Sequence, residues 1–300
     1  MSWFNRLIVW VMPVFPKSFI WLFARRYVAG KTLADAVRQT RKLNAAGCTA
    51  TIDVLGEDNR TMQEAETAKA EALTVLDTIR AEGLNANLSV KLSQLGLRLD
   101  AESCRHNVEA LVSRAASLGN FVRIDMEDST VTDATLHLYR AVRREHANTG
   151  AVIQACLRRS EDDVRALIGQ GIAHLRLCKG IYNEAPEIAY KGREEVREQF
   201  RKLALMMFDA GAFVGLATHD KALVDWAVRT IRERNIPNDR FEFQMLYGVT
   251  EKMRARLVAQ GFSLRVYVPY GELWYAYSMR RMKENPAVAG HIVKSLFIRT

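Results

Sequence analysis

The sequence predicts an α/β fold, a (β/α)₈ TIM-like barrel with an N-terminal helical arm. From about residue 48 onwards, short apolar runs of strand character alternate with longer patterns typical of amphipathic helices. Eight strand–helix units recur at roughly 20–40-residue spacing, which is the repeat of this barrel. No Pro-, Gly- or Ser-rich linker divides the chain, so we expect an arm over residues 1–46 and one barrel domain over residues 47–300.

The predicted strands follow one another in order along the chain. They are Cys48–Leu55, Leu88–Leu92, Phe121–Met126, Ala151–Leu157, His174–Lys179, Ala212–Ala217, Phe241–Leu246 and Leu264–Val268. An open doubly wound sheet is the competing fold, and it usually carries a G-x-G-x-x-G loop after its first strand. Here the first strand runs into Val54–Asp58 without such a loop, which favours the barrel.

The helices between these strands have recognisable starts and stops. Thr61–Glu64 has the pattern of a capping box, and Ser160 and Thr250 are predicted N-caps. A long helix is predicted over 189–210, with its mixed charges, Arg197 among them, on a solvated face. Six glycines stand where helices would end before the next strand: Gly47, Gly83, Gly119, Gly171, Gly211 and Gly261.

Composition excludes several classes of protein. With 300 residues, 49% apolar and 26% charged, the chain is neither disordered, fibrous nor a polytopic membrane protein. Its net charge of +9 is compatible with binding to nucleic acid, to a membrane surface or to acidic substrates. The four cysteines are scattered and form neither a disulfide framework nor a zinc motif, so we expect a reducing, cytoplasmic setting.

The N-terminal arm carries much of the positive charge. Residues 1–34 contain five Lys or Arg residues, no acid and three of the five tryptophans. Pro13 and Pro16 break the apolar run, so the segment is too short to span a bilayer, and Ser18–Gly30 is predicted to be a short helix. Two interpretations remain open for the arm: peripheral contact with the inner face of a membrane through residues 1–30, or packing over a core or an oligomer interface.

Chemistry is expected where the strands end, because the active site of such a barrel lies at their carboxyl ends. Buried cations there are costly unless they are paired or bound to an anion, so Lys91, Arg176 and Lys179 together predict a phosphate or carboxylate site. The other polar residues assigned to these ends are Asp125, Glu127, Asp128, Gln154, Tyr182, Thr218, His219, Glu242, Gln244, Tyr267 and Tyr270.

A helix after the last strand adds a second group of polar residues. Tyr277, Arg280, Arg281 and Glu284 are spaced so that they share one face. Two adjacent arginines can clamp a small carboxylate through paired hydrogen bonds. The six histidines form no metal-binding motif, and no G-x-S-x-G hydrolase elbow occurs, so no metal site is expected.

Several motifs, in this order, give the chain its resemblance to proline dehydrogenase of the short, monofunctional bacterial type. They are Ser89–Lys91, Arg123–Ser129, Arg176–Tyr182, Ala217–His219, Phe241–Gly248 and Tyr267–Gly271, followed by the Y-x-x-R-R-x-x-E helix over Tyr277–Glu284. The resemblance covers nearly the whole chain from about residue 30. It implies an FAD-dependent barrel that oxidises L-proline to Δ1-pyrroline-5-carboxylate, by hydride transfer from proline C5 to flavin N5, as the first step of proline catabolism.

The resemblance also implies roles for individual residues. Arg280, Arg281 and Lys91 would hold the substrate carboxylate, and Glu284 would balance their charge. Tyr267, Tyr277 and Leu246 would enclose the pyrrolidine ring, with Asp125 as a polar partner of Tyr267. Arg176 would lie near flavin N5 and Lys179 near the pyrophosphate. The remaining predicted cofactor contacts are Gln154, Gly180, Ile181, Thr218, His219 and Glu242.

Two departures from the family pattern concern the cofactor site. Ile181 replaces the usual Ala, and Asp220 replaces the usual Asn after Ala-Thr-His. Tyr267, against the ring, favours proline over hydroxyproline. A membrane quinone would take the electrons, nucleic acid is not an expected partner, and a homo-oligomer is left open.

Two alternatives from other classes remain. One is a Schiff-base, aldolase-like barrel enzyme that uses Lys91 or Lys179 as its nucleophile. The other is a basic surface-binding protein, although no Lys/Arg run interleaved with aromatic residues occurs outside the arm.

Overall fold

The computed structural model describes residues 20–21 and 24–284, and for residues 280–284 it describes the backbone only. Eight parallel strands close into a barrel in sequence order, with β8 paired to β1. The strands are β1 (Thr49–Val54), β2 (Ala86–Val90), β3 (Val122–Ile124), β4 (Thr149–Gln154), β5 (His174–Cys178), β6 (Phe213–Ala217), β7 (Phe241–Leu246) and β8 (Leu264–Tyr270). The predicted fold and all eight predicted strands are confirmed, with differences only at their ends.

The α-helices of this described part alternate with the strands. They are α1 (Leu33–Ala45), α2 (Met62–Ala81), α3 (Ala101–Ser117), α4 (Thr132–Glu145), α5 (Ser160–Gly169), α6 (Arg193–Asp209), α7 (Lys221–Glu233), α8 (Glu251–Ala259) and α9 (Trp274–Glu284). Helices α2 to α8 each connect two consecutive strands. Helix α1 packs against β8 and β1. Helix α9 follows β8, and its Trp274 and Tyr277 belong to the same apolar cluster as Leu55, the residue after β1.

The caps confirm part of the prediction from sequence. Thr61 caps α2 in a complete capping box with Glu64. Ser160 was wrong as an N-cap, because it is the first helical residue and its hydroxyl donates to the carbonyl of Gln154 instead. Thr250 occupies the N-cap position of α8 but makes no side-chain capping bond. Each of the six predicted stop glycines has a positive φ, the conformation that lets a helix end there.

The barrel interior is polar at its centre, whereas the main apolar core lies between strands and helices. Arg123, Arg176 and Gln244 are buried in the interior. Two glycines make the space: a Cβ at Gly150 would lie 2.4 Å from Arg123 Nη1, and one at Gly215 would lie 2.4 Å from Gln244 Nε2. Branched apolar side chains usually fill this space in such barrels, so the interior is reserved here for polar groups.

No helix within the described residues has both the length and the apolar character needed to cross a membrane.

Candidate active site

A cavity of about 1190 Å³ opens where the strands end. Its wall includes Gln154, Cys178, Ala217 and Leu246, which are the last residues of β4, β5, β6 and β7. The cavity brings together most of the predicted site residues: Lys91, Asp125, Gln154, Arg176, Lys179, Gly180, Ile181, Thr218, His219, Leu246, Tyr267 and Tyr277. Parallel strands around a closed barrel deliver their ends to one face, which explains why residues so far apart in sequence meet there.

Lys91 is held by a carboxylate that sequence reasoning missed. Its Nζ donates to Asp53 Oδ1 at 2.8 Å, and the Asp53 side chain is only 1% exposed. Burial alone would lower the pKa of the Lys91 ammonium, but the carboxylates of Asp53 and Asp125 outweigh it and raise that pKa. A protonated lysine is not a nucleophile, so this arrangement disfavours Schiff-base chemistry at Lys91. The available signal was the one charged residue of the first strand, Asp53.

Asp125 is the centre of a hydrogen-bond network at the bottom of the cavity. Its carboxylate accepts from Arg176 Nη1 at 2.6 Å, from Tyr267 Oη at 2.7 Å and from Ser89 Oγ at 2.7 Å. The Arg176 guanidinium also lies 5.3 Å from the centre of the Tyr267 ring. Burial and the Asp125 carboxylate raise the pKa of the Tyr267 hydroxyl well above its ordinary value, so Tyr267 stays protonated and donates to Asp125.

Gln154 presents an acceptor that no described group satisfies. Its Nε2 donates to the carbonyl of Glu127 at 3.0 Å, which fixes the direction of the amide. Its Oε1 is buried and has no hydrogen-bond partner among the residues that the structure describes. A buried, unsatisfied amide oxygen at a cavity wall is costly, which is consistent with a site for a ligand that donates a hydrogen bond.

Two further cations of the cavity wall, Lys179 and Arg197, share one carboxylate. Lys179 Nζ lies 3.2 Å from Asp220 Oδ2, and Arg197 holds the same carboxylate with two hydrogen bonds of 2.8 and 2.9 Å. Hydrogen bonds from Arg197 are the main reason that the pKa of Asp220 lies far below its ordinary value. Arg197 therefore corrects the prediction of a solvated helix face, because its side chain is 13% exposed and faces the cavity.

Two further residues shape the wall between these regions. His219 Nε2 accepts a hydrogen bond from the main-chain N–H of Leu246 at 2.8 Å, so His219 fixes the end of β7. Gly180 has φ +95°, and a Cβ there would lie 2.2 Å from Cys156 Sγ. Only glycine fits this position without displacing its neighbours. Ile181, next in the chain, is 41% exposed at the cavity wall.

Glu242 is misplaced by the prediction from sequence. It is the second residue of β7, so it lies near the amino end of that strand, away from the cavity. There it lines a separate pocket of about 710 Å³ with Arg123, His174 and Arg265. Its carboxylate accepts from Arg265 Nε at 2.7 Å and from Gln244 Nε2 at 2.6 Å. Glu242 is therefore not among the residues that line the main cavity, where its contact with a cofactor was predicted.

Helix α9 reaches the cavity through Tyr277 and Ser278. Its backbone continues to Glu284, but the side chains of Arg280, Arg281 and Glu284 lie outside the described part of the chain. The carboxylate clamp assigned to them stays a prediction.

The described end of the N-terminal arm packs over the cavity. Ile20 and Ala24 are buried with Trp274 of α9, and both also line the cavity. Trp21 and Trp274 meet edge to face with their ring centroids 4.7 Å apart. This part of the arm therefore supports the packing interpretation, while residues 1–19 lie outside the described residues. Among described residues, no group of three or more His, Cys, Asp or Glu side chains is suited to hold a metal ion.

Comparisons with known proteins agree with this architecture. The model of the proline dehydrogenase family matches residues 36–294. Proline dehydrogenase 1 of Bacillus subtilis strain 168 is 37% identical over 275 residues, which cover 92% of this chain and 91% of that protein. The proline dehydrogenase of Deinococcus radiodurans is 32% identical over 282 residues, with the same coverage of both chains.

A solved structure gives the same result at the level of the fold. Proline utilization A (PutA) of Bdellovibrio bacteriovorus, inactivated by N-propargylglycine, matches with a TM-score of 0.83 and 25% identity. The match covers 88% of this chain but only 32% of that longer protein. The family model matches most of the chain, and the alignments with the two proline dehydrogenases cover nearly all of both proteins. These two findings decide the family. The chain belongs to the proline dehydrogenase family, whose oxidation of proline is the first step of proline catabolism.

Proposed function

We propose that the chain is an FAD-dependent enzyme that oxidises L-proline to Δ1-pyrroline-5-carboxylate and passes the electrons to a quinone. One observation carries the proposal: a single cavity combines the fixed cation Lys91, the network around Asp125 and Arg176, and the unsatisfied acceptor of Gln154. A cation suits the carboxylate of the substrate, and the acceptor suits a hydrogen-bond donor of the cofactor.

The substrate would bind at the end of the cavity that holds Lys91. The Lys91 ammonium would bind the proline carboxylate together with Arg280 and Arg281, while Glu284 would balance their charge. Leu246, Tyr267 and Tyr277 would enclose the ring, and Tyr267 leaves room for proline rather than hydroxyproline. The Tyr267 hydroxyl donates to Asp125, whose carboxylate also accepts from Arg176 and Ser89, so we assign neither group as a base and expect the amine to react in its neutral form.

The cavity residues fit a flavin dinucleotide. A volume of about 1190 Å³ exceeds the range of roughly 300–1,000 Å³ typical of small-ligand pockets, as expected for a cofactor plus a substrate. Gln154 Oε1 needs a donor, Gly180 brings the backbone close, and Lys179 is a cation suited to a diphosphate. Arg176, Ile181, Thr218 and His219 would line the rest of the site. When bound, FAD would supply the redox chemistry by accepting the hydride of proline C5 at its N5.

The electron acceptor and the membrane belong to the same proposal. A quinone resides in the bilayer, so the enzyme would work in the cytoplasm against the inner face of the membrane. The cationic, aromatic residues 1–30 are suited to that contact.

An anaerobic titration tests the proposed function directly. We expect the purified protein to be yellow, and we expect L-proline to bleach the flavin band in the absence of oxygen. Absence of bleaching would overturn the proposal.

In Arg281→Met we expect the KM for proline to rise greatly with FAD still bound, because one arm of the carboxylate clamp is lost. The matched control is Arg114→Met, an exposed arginine paired with Asp77 outside the cavity, which should behave as wild type.

A further inference from the structure

A line of buried polar groups runs through the barrel interior, from the amino end of β7 to the candidate active site. Arg265 Nε donates to Glu242 at 2.7 Å, and Gln244 Nε2 donates to the same Glu242 oxygen at 2.6 Å. Gln244 Oε1 then accepts from Arg176 Nε at 2.5 Å, and Arg176 Nη1 donates to Asp125 at 2.6 Å. Glu242, Gln244 and Arg176 are buried, although Glu242 borders the smaller pocket at one end of the line and Arg176 borders the main cavity at the other.

The contact between Arg176 and Gln244 depends on a residue without a side chain in the strand between them. Arg176 on β5 is aligned with Gly215 on β6, which is aligned with Glu242 on β7. Gln244, two residues beyond Glu242, projects from the same face of β7. Because Gly215 has no side chain, the side chains of β5 and β7 meet across β6, and a Cβ at Gly215 would lie 2.4 Å from Gln244 Nε2.

The chemistry of the groups fixes the direction of the chain. A glutamine amide has a donor end and an acceptor end, whereas a carboxylate only accepts and a guanidinium only donates. Glu242 can therefore receive only the NH₂ end of Gln244, which turns the carbonyl oxygen towards Arg176. Gln244 and Asp125 then hold two of the three guanidinium nitrogens, and Nη2 is the nitrogen that neither acceptor occupies.

We propose that Gln244 is a positioning residue for Arg176, and that Glu242 orients Gln244 from the amino end of the barrel. The proposal gives Glu242 an indirect role in place of the cofactor contact expected from sequence. It rests on the proposed function in one respect, that Arg176 works at the reacting centre. A displacement of about 1 Å in such a group can lower the rate on the order of a hundredfold.

A charge swap tests this proposal. Gln244→Leu removes both hydrogen bonds at similar volume, and Gln244→Glu places two carboxylates side by side. In the double variant Glu242→Gln/Gln244→Glu the amide and the carboxylate exchange positions, and every hydrogen bond can still form. The new carboxylate at position 244 accepts from Arg176 and from the new amide at position 242, and the oxygen of that amide accepts from Arg265. We expect kcat to fall roughly 10- to 100-fold in both single Gln244 variants, with the KM for proline within about twofold. The double variant should recover to within about threefold of wild type.

A second readout does not depend on turnover. In full-length, ¹⁵N-arginine-labelled holoenzyme, the Nε–H signal of Arg176, assigned with Arg176→Lys, should exchange slowly with solvent. It should shift and exchange faster in Gln244→Leu and return in the double variant. The control is Gln63→Leu, an exposed glutamine on α2, which should change neither readout.

The outcomes separate the two proposals. If the Nε–H signal is unchanged in Gln244→Leu, Gln244 does not position Arg176 and the inference is overturned. The inference is also overturned if the loss of kcat in the double variant equals the summed losses, as free energies, of Glu242→Gln and Gln244→Glu measured separately. If wild type fails to oxidise proline, the proposed function fails, while the exchange measurement still decides whether Gln244 holds Arg176.

Discussion

Lys91 is less deeply buried than the carboxylate that holds it, since its side chain is 10% exposed and that of Asp53 is 1% exposed. Asp53 Oδ2 has no hydrogen-bond partner among the described residues, so Lys91 is the main group that offsets the free-energy cost of burying this carboxylate. Burial raises the pKa of the Asp53 carboxyl, and Lys91 offsets only part of that rise. Removing one partner of this pair should therefore lower the free energy of unfolding more than removing both partners.

Replacing Lys91 should destabilise the protein more than replacing the whole pair. In Lys91→Met we expect a loss of about 3–5 kcal/mol in the free energy of unfolding at pH 7, because a buried carboxylate is left without its cation. Asp53→Asn/Lys91→Met should recover part of this loss. Denaturant unfolding measures both, and equal stability of the two variants would contradict the expectation.

The same variant should show a characteristic dependence on pH. In Lys91→Met the folded-state pKa of Asp53 lies above its unfolded value, so the folded state binds the proton more tightly. Stability relative to wild type is then highest at low pH and falls as the pH rises from the unfolded-state pKa through the folded-state pKa. The double variant, which lacks the carboxyl group, serves as the control and should not show this fall.

Asp220 should behave in the opposite way. Hydrogen bonds from Arg197 hold its pKa far below the ordinary value, so its contribution is fully present above the unfolded-state pKa. Asp220→Asn keeps the side-chain oxygen that caps α7 and should cost about 1.5–3 kcal/mol at pH 7 through the loss of charge-assisted bonds. The difference from wild type should shrink as the pH falls below about 4. A difference independent of pH would contradict this assignment.

At the scale of the element, local signals describe the helices well where they depend on neighbouring residues alone. The capping box of α2 and the glycines that follow the helices are contained within a few residues of sequence. Ser160 was predicted wrongly because its hydroxyl is taken by the carbonyl of Gln154 at the end of β4. This hydrogen bond forms because the folded chain places the end of β4 beside the first turn of α5.

The cap of α2 provides a prediction at this scale. Thr61→Ala removes the acceptor for the Glu64 N–H and half of the capping box, so we expect a loss of about 1 kcal/mol in the free energy of unfolding. Thr67→Ala is the matched control, because Thr67 is exposed within the same helix and its hydroxyl bonds only to the preceding turn. The control should be neutral or slightly stabilising. An equal loss in both variants would count against the cap.

At the scale of the whole molecule, glycines in the barrel strands make room for large polar side chains in the interior. Arg123 is aligned with Gly150, and Arg176 is aligned with Gly215, so each of these two arginines lies beside a strand position without a side chain. The apolar core between strands and helices stabilises the barrel, while the interior is shaped to hold charged and amide groups. This arrangement makes the interior sensitive to the addition of even one methyl group.

Gly150 tests that sensitivity. In Gly150→Ala the new Cβ would lie 2.4 Å from Arg123 Nη1 and 2.5 Å from the His174 carbonyl, and that backbone group cannot move cheaply. We expect a loss of about 1–3 kcal/mol in the free energy of unfolding. Gly169→Ala is the control, since Gly169 is exposed at the end of α5 with nothing within 4 Å, and it should stabilise the protein by up to about 1 kcal/mol. Urea unfolding compares the two, and a neutral Gly150→Ala would contradict the packing argument.

The sequence by itself determined the number and order of the strands, the helix stops and most of the residues at the cavity, because alternation of apolar runs and the position of a residue at a strand end are local patterns. The residues that hold those side chains in place were decided by tertiary structure. Asp53 meets Lys91, Arg197 meets Asp220, and Glu242 reaches Arg176 only through Gln244 across Gly215. Each of these contacts joins different strands or helices around a closed barrel, and the angle at which a side chain enters that barrel is set by strand register and by the space its neighbours leave.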